Sequence, residues 1–342
     1  MIYTEFMYGQ GFGNQLAVYV TTRAIAKRND YSFGYTGLEN FGDRRYNDKG
    51  VYFMDIDLGS SVLPTSETYT EKETRIKLDH SDHDRTHGCD IRLIDQDLLN
   101  VANNTKVMGI MQGEDYFWDY REEVKDWLKV KQEFDCTDFS SDDICVLNIR
   151  DYEADPTLFL SRDYWVRAIY HMLSLNHNMQ FLIITENPDM AKRLLPELAD
   201  NVYHFDLAKD YSIVKNAKWL ILSNSSFAYF PAFCSDAHLI IAPKYWCRHN
   251  VSDGYWSCGY NISRKFTYMD RQGQLQSYTD VALSTKFNLA DTSKYTKQLY
   301  TDSSLITKLK LSDTASMLSS RIGKDTLNLS ARINAKANLI AP

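Results

Sequence analysis

Two short stretches of the sequence carry side chains suited to meeting negative charge, and both directly follow apolar runs. The first is "VLNIRDYE" (146–153), which sets Asn148, Arg150, Asp151 and Glu153 at the end of the run "DICVLNIR". The second is "LILSNSSFAYF" (220–230), which sets Asn224, Ser225, Ser226 and Phe227 after a further run. A guanidinium placed just past a buried strand, among polar neighbours, suits a phosphate or carboxylate, because its donors form a planar fork. Hydroxyls and backbone N–H groups in a neighbouring turn would meet the same anion. The two acids beside Arg150 are candidates for proton transfer, or for holding the guanidinium in a structural ion pair. Phe227, Tyr229 and Phe230 would line a base or sugar pocket or fill core.

A third stretch lies near the start, "YGQGFGNQLAVYV", with Gly9, Gly11 and Gly13 leading to Asn14 and Gln15. A dinucleotide fingerprint needs G-x-G-x-x-G and an acid roughly 20 residues on. Here the spacing is G-x-G-x-G, residues 31–36 contain no acid, and Glu39 comes late. The loop therefore suits phosphate or hydroxyl recognition at the mouth of a helix, with the two amides facing a ligand, better than hydride transfer.

The elements that must position these groups can be read from the pattern of apolar residues. Residues 2–7 read as a strand, 16–28 as a helix and 32–35 as a strand, the opening of a parallel sheet. Residues 40–105 are polar and irregular. Periodicity returns with a strand at "KVMGIMQG" and a helix over 116–130. From 143 to 243 buried-strand runs (143–150, 179–185, 201–205, 217–223, 237–243) alternate with helices beginning at Ser161, Pro188 and Asp210, which predicts a doubly wound α/β unit. Ligands in such sheets bind outside the carboxyl ends of the strands. The last stretch, 283–342, has nine basic residues against four aspartates, a net +5 in a chain of net −7. That leaves the remainder strongly acidic and argues against a broad nucleic-acid surface; the tail is expected to touch an anionic surface or a partner.

Other constellations carry less. Asp55-Ile-Asp57, Asp82-His-Asp84 and Asp95-Gln-Asp97 are D-x-D triplets of the kind that hold a divalent ion, but with 45 acids in the chain they arise by chance. "HSDHDRTHGC" offers His80, His83, His87 and Cys89, with a spacing that fits no closed zinc site. No G-x-S-x-G elbow or Walker loop is present. The six cysteines form no C-x-x-C pair and read as reduced thiols. The opening residues lack a basic and then apolar stretch, so the expected location is cytoplasmic.

Taken together and in order, these motifs resemble the alpha-1,2-fucosyltransferases of glycosyltransferase family 11. G-x-G-N-Q near the start, the strand end "VLNIRDYE" and N-S-S-F carry the resemblance. "GIMQGEDYF" (109–117), "DYSIVKNAKWLILSNSSFAYFPAF" (210–233) and "IIAPKYW" (240–246) add to it. It spans roughly residues 1–270 and omits the tail. The resemblance implies a GT-B-like α/β fold: two facing doubly wound α/β domains, 1–135 on the acceptor side and 136–282 binding the nucleotide sugar, with a polar extension over 283–342. It implies GDP-fucose as donor, a glycan as acceptor, inversion at the anomeric carbon, and neither metal nor other cofactor. Carried over by residue, Arg150 would bind the leaving diphosphate. Asn148, Asp210, Asn224, Ser225, Ser226 and Phe227 would contact the donor. Gly11, Gly13, Asn14 and Gln15 would face the cleft between domains. Glu153, then Asp151, would be the candidate base. Three positions depart from the family's H-x-R-R-x-D: Asn148 stands for its His, Asp151 for its second Arg and Glu153 for its Asp. Lys244 could restore the missing charge. The departures leave two alternatives open, a transferase for another nucleotide sugar and a non-catalytic glycan- or nucleotide-binding relative.

Overall fold

In the computed structural model, the residues described are 1–42, 49–62, 67–78, 91–150, 160–223, 225–244, 262–270, 272–281 and 295–300. Two parallel sheets dominate them. The first has the order β2-β1-β6-β3, built from β1 (Ile2–Glu5), β2 (Phe33–Thr36), β3 (Thr68–Thr70) and β6 (Thr105–Met108). Strands β4 (Glu73–Leu78), β5 (Ile91–Leu93) and β14 (Tyr295–Tyr300) form a separate antiparallel sheet. The stretch 40–105 is thus not wholly irregular, as expected above; its strands are short and lack an apolar run.

The second sheet has seven strands, β13-β12-β11-β10-β7-β8-β9. They are β7 (Ile144–Ile149), β8 (Gln180–Thr185), β9 (Val202–Tyr203), β10 (Trp219–Leu222), β11 (Leu239–Pro243), β12 (Thr267–Met269) and β13 (Leu275–Ser277), of which only the β12–β13 pair is antiparallel. Within this sheet the chain begins at the interior strand β7, steps outward through β8 and β9, then returns to the other side of β7 as β10. The order reverses between β7 and β10, and that is where open α/β sheets bind ligands.

Side chains alternate across this sheet as a period of two requires. Val146, Leu182, Ile184, Leu220 and Leu222 face one core; Cys145, Leu147, Ile149, Phe181, Ile183 and Ile221 face the other. The second core is closed by α3 (Arg162–Leu175) and α4 (Pro188–Leu194). The first is closed by α5 (Leu207–Asn216) and α6 (Ser226–Cys234), and it runs on without a break into Ile2, Phe6, Val107 and the helix α1 (Phe12–Arg28) of the first sheet. Helix α1 is buried around most of its circumference, so it shows little amphipathic signal.

The helix expected over 116–130 is shorter, α2 (Arg121–Trp127), because turns of 3-10 helix occupy 114–120. Helix α6 did not show in the sequence at all. It is apolar along nearly its whole length and holds Pro231, a residue that removes one helical hydrogen bond. No helix of the described residues is long and apolar enough to cross a membrane.

A buried carboxylate ties the segment after β6 to the second sheet. Glu114, 5% exposed, accepts from the Ser263 hydroxyl at 2.6 Å, from the Arg264 backbone N–H and from its guanidinium at 2.7 Å. The same guanidinium reaches Asp115 and lies 4.5 Å from the Trp118 ring centroid. Burial pushes the Glu114 carboxyl above its ordinary range, and the Ser263 and Arg264 donors pull it back. Removing one partner of such a pair strands the other, at a cost of about 3 kcal/mol or more. Glu114→Ala is accordingly expected to lower the unfolding free energy by about 3 kcal/mol in urea titration, whereas Glu123→Ala, at an exposed pair with Lys27, is expected to cost less than ~1 kcal/mol.

Candidate functional site

The three glycines of the opening loop serve three separate purposes. Gly9 has φ 83 and follows Tyr8 in a turn closed by Gln10 N–H to Met7 O at 3.2 Å, a position that favours glycine. Gly11 is the N-cap of α1, with extended backbone. Gly13 is a close-approach residue: a Cβ there would lie 2.2 Å from the Ser226 carbonyl carbon and 2.5 Å from the Phe227 nitrogen. The first turn of α1 therefore touches the first turn of α6.

That contact brings two helix amino ends together, each with N–H groups that have no carbonyl of their own helix to bond. Helix α6 opens directly after β10, with Ser225 as N-cap; its Oγ accepts from Phe227 N–H at 3.2 Å. Aromatic rings hold the junction from beneath. Tyr211 of α5 lies edge-on to Phe12 of α1 at 6.1 Å and to Phe227 of α6 at 6.3 Å. The result is a concentration of partial positive charge next to the point where the sheet order reverses.

Arg150 and the Ser225–Ser226 turn follow adjacent strands. Leu222 pairs with Asn148 in the ladder, and Ser223 N–H donates to Asn148 O at 3.0 Å. The Arg150 guanidinium is ion-paired with Glu186, which follows the next strand β8, and both side chains are about two-fifths exposed, at 38% and 42%. The acid beside the guanidinium is thus a neighbour across the sheet. Asp151, Glu153 and Asn224 lie outside the described residues, as do the His80–Cys89 set and Asp82-His-Asp84.

Several expected contacts turn inward instead. Gln15 is 1% exposed; its amide donates to Asn40 O and accepts from Gly42 N–H, both at 2.8 Å, so it fixes the 40–42 turn and does not face a ligand. It sits inside α1, which starts at Phe12 and not at Leu16. Asp210 is likewise committed: its carboxylate accepts from Phe205 N–H at 3.1 Å and meets His204 Nδ1 at 2.8 Å, and burial pushes its pKa up. Gln15 is a ligand candidate by its chemical type and Asp210 by the resemblance; the structure turns both to internal partners. Tyr229 and Phe230 are core residues, at 2% and 1% exposure. Asn148 is buried, and its amide donates to Ile184 O at 3.4 Å. Lys244, 2% exposed, follows β11, two strands from β7.

Asn14, half-buried, is held in place, since its Oδ1 accepts from the buried Gln112 amide. Gln112 belongs to the 109–117 segment, which Glu71 organises by accepting from Ile110 N–H, Met111 N–H and the Tyr116 hydroxyl. One strand-end hydroxyl gains its interest from burial. The Ser223 Oγ is buried, with no hydrogen-bond partner among the described residues, at the end of β10 beside the reversal point. A hydroxyl left unpaired there costs free energy unless something else meets it.

No group of acids, histidines and cysteines among the described residues could hold a metal ion. Asp57 accepts from Gly59 N–H and pairs with Arg23; Asp95 accepts from the Tyr69 hydroxyl and Lys72 N–H; Asp97 pairs with Lys72. These D-x-D residues stitch loops.

No family model and no curated protein sequence matches the chain. Among solved structures it is similar to a NodZ alpha-1,6-fucosyltransferase soaked with GDP-fucose, at 10% identity over 73% of this chain and 97% of that one, TM-score 0.44. It is similar to a mutant FUT1 of Arabidopsis thaliana in complex with GDP, at 11% identity over 78% and 76%, TM-score 0.46. POFUT1 in complex with GDP follows at 9% identity over 69% and 94%, TM-score 0.35. At these values the likenesses are of outline and bear on neither reaction nor site.

The helix junction admits no side chain at position 13. Gly13→Ala is expected to cost about 3 kcal/mol or more in denaturant unfolding, because backbone and not a flexible side chain occupies the space. Ser225→Ala, by contrast, is expected to cost only about 1 kcal/mol, the loss of one cap.

Proposed function

We propose that this chain is a glycosyltransferase of GT-B-like architecture, moving fucose from GDP-fucose to a hydroxyl of a glycan, in the manner of the alpha-1,2-fucosyltransferases its motifs resemble. The observation that carries this reading is the contact of Gly13 with Ser226 beside the β7–β10 reversal point, where two helix amino ends meet. A nucleoside diphosphate bears its charge at the atoms such a site would face. As the sugar–oxygen bond breaks, charge grows on the departing diphosphate. Preorganised N–H groups and a guanidinium are worth most at that moment, about 3 kcal/mol for one good donor.

This reading gives each group a role. The amino ends of α1 and α6 hold the diphosphate, Arg150 approaches it from the end of β7, and Ser223 and Ser226 offer hydroxyls from the β10 side. Glu153 is the first candidate for taking the acceptor's proton, and Asp151 the second. In this reading protein cations and amides, rather than a metal, neutralise the leaving diphosphate, and the acceptor hydroxyl bonds to the anomeric carbon from the opposite face while its proton passes to the base, which inverts that carbon.

The Arg150–Glu186 pair favours a second reading, in which the guanidinium is structural and the chain binds a glycan or nucleotide without turnover. Paired substitutions separate the two. Under the first reading Arg150→Ala loses about 100-fold or more in GDP affinity or turnover while its melting temperature stays near wild type, since a half-exposed pair contributes ~1 kcal/mol at most. Glu186→Gln keeps GDP binding. Under the second, both variants melt alike and GDP affinity is unmoved.

GDP is further expected to stabilise the wild-type protein by about 2.7 kcal/mol at 100 times its dissociation constant, equally with EDTA and with Mn²⁺, in thermal-shift measurements. A shift seen with UDP and manganese alone would contradict the assignment.

A further inference from the structure

We propose that the turn Met7–Gln10 is the platform on which the acceptor's sugar ring stacks, with Tyr8 as its face; the inference rests on the transferase reading above. Among the described residues the large exposed apolar side chains are Met7 at 53%, Tyr8 at 76%, Leu38 at 43%, and Tyr170 and Leu175 on α3. The first three come together at the carboxyl ends of β1 and β2. Phe6 joins them: its N–H donates to Thr36 O at 3.0 Å and its carbonyl accepts from the Asn40 amide at 3.0 Å. A Cβ at Gly37 would lie 2.3 Å from that same Phe6 oxygen, so the turn bearing Leu38 rests against the one bearing Met7 and Tyr8.

The turn itself explains the exposure. Gly9, at φ 83, closes the chain back on Met7 O through Gln10 N–H, and the residue before it is pushed outward at the apex. An aromatic ring offers the flat apolar surface that the C–H face of a pyranose matches.

Distance favours the same occupant. From Tyr8 to Phe12, where α1 begins, the chain can span at most ~14 Å, so a ring on Tyr8 stays near a sugar whose pyrophosphate sits at the α1–α6 junction. Three side chains also make too small a patch for a protein partner, which would cover ~800 Å² on each side.

The test is saturation-transfer NMR with methyl β-galactopyranoside, methyl β-glucopyranoside and N-acetyllactosamine, in the presence of GDP, alongside calorimetric GDP affinity. At least one sugar should give signal with the wild-type protein. Tyr8→Ala should weaken that binding about tenfold and Tyr8→Trp should retain it, both with wild-type GDP affinity and melting temperature. Undiminished sugar binding in Tyr8→Ala overturns the platform, as does a wild-type protein that binds GDP but none of the sugars. Tyr8-dependent sugar binding by a protein blind to GDP would keep the platform and remove the transferase reading. Binding neither removes both.

Discussion

The contact between Gly13 and the Ser226 backbone is the constraint from which the rest of the site follows. Two helix amino ends, each carrying roughly half a positive charge, are forced together by packing. At an effective dielectric near 20 that repulsion amounts to ~1 kcal/mol. The shared core supplies far more than this, since a single large buried side chain contributes ~1.5–3 kcal/mol, and Phe12, Phe53 and Tyr211 all lie beneath the junction. The chain thus maintains an arrangement that a doubly charged group would relieve. Other features fall into place around it: the β10 strand that ends in the α6 cap, the β7 strand that ends in a guanidinium, and the amide pair of Asn14 and Gln112 at its edge.

How much of this could be read from the sequence depended on how local each cause was. The strands at 143–150, 179–185 and 217–223 announced themselves because burial on both faces leaves almost no polar residue in them. Their alternation with helices gave the doubly wound sheet, and so the neighbourhood of Arg150 and Ser225. Helix α6 stayed hidden because Pro231 argues against a helix and because burial on all sides erases periodicity. Gln15 is a candidate by chemical type and Asp210 by the resemblance, and neither type nor motif can tell a polar group that meets a ligand from one that braces a turn.

The remaining gaps are of long range. The acid that pairs with Arg150 stands 36 residues further on, at the end of the next strand, while the acids adjacent in sequence drew attention first. Glu114 and Arg264 are 150 positions apart. Ser223 stands in the sequence as one of several polar residues at a strand end, and its burial without a partner among the described residues sets it apart from them. Such relations arise from strand order and packing, which no spacing rule encodes.

The first core passes unbroken from one parallel sheet to the other, and this bears on how the molecule can be divided. Cutting the chain after 135 would bare α1 on one fragment and the faces of α5 and α6 on the other, and would leave Glu114 without Arg264. Neither fragment could dissolve as a unit on its own; each would seek the other or aggregate. The two halves stay joined through that common core like the covers of a book at its spine.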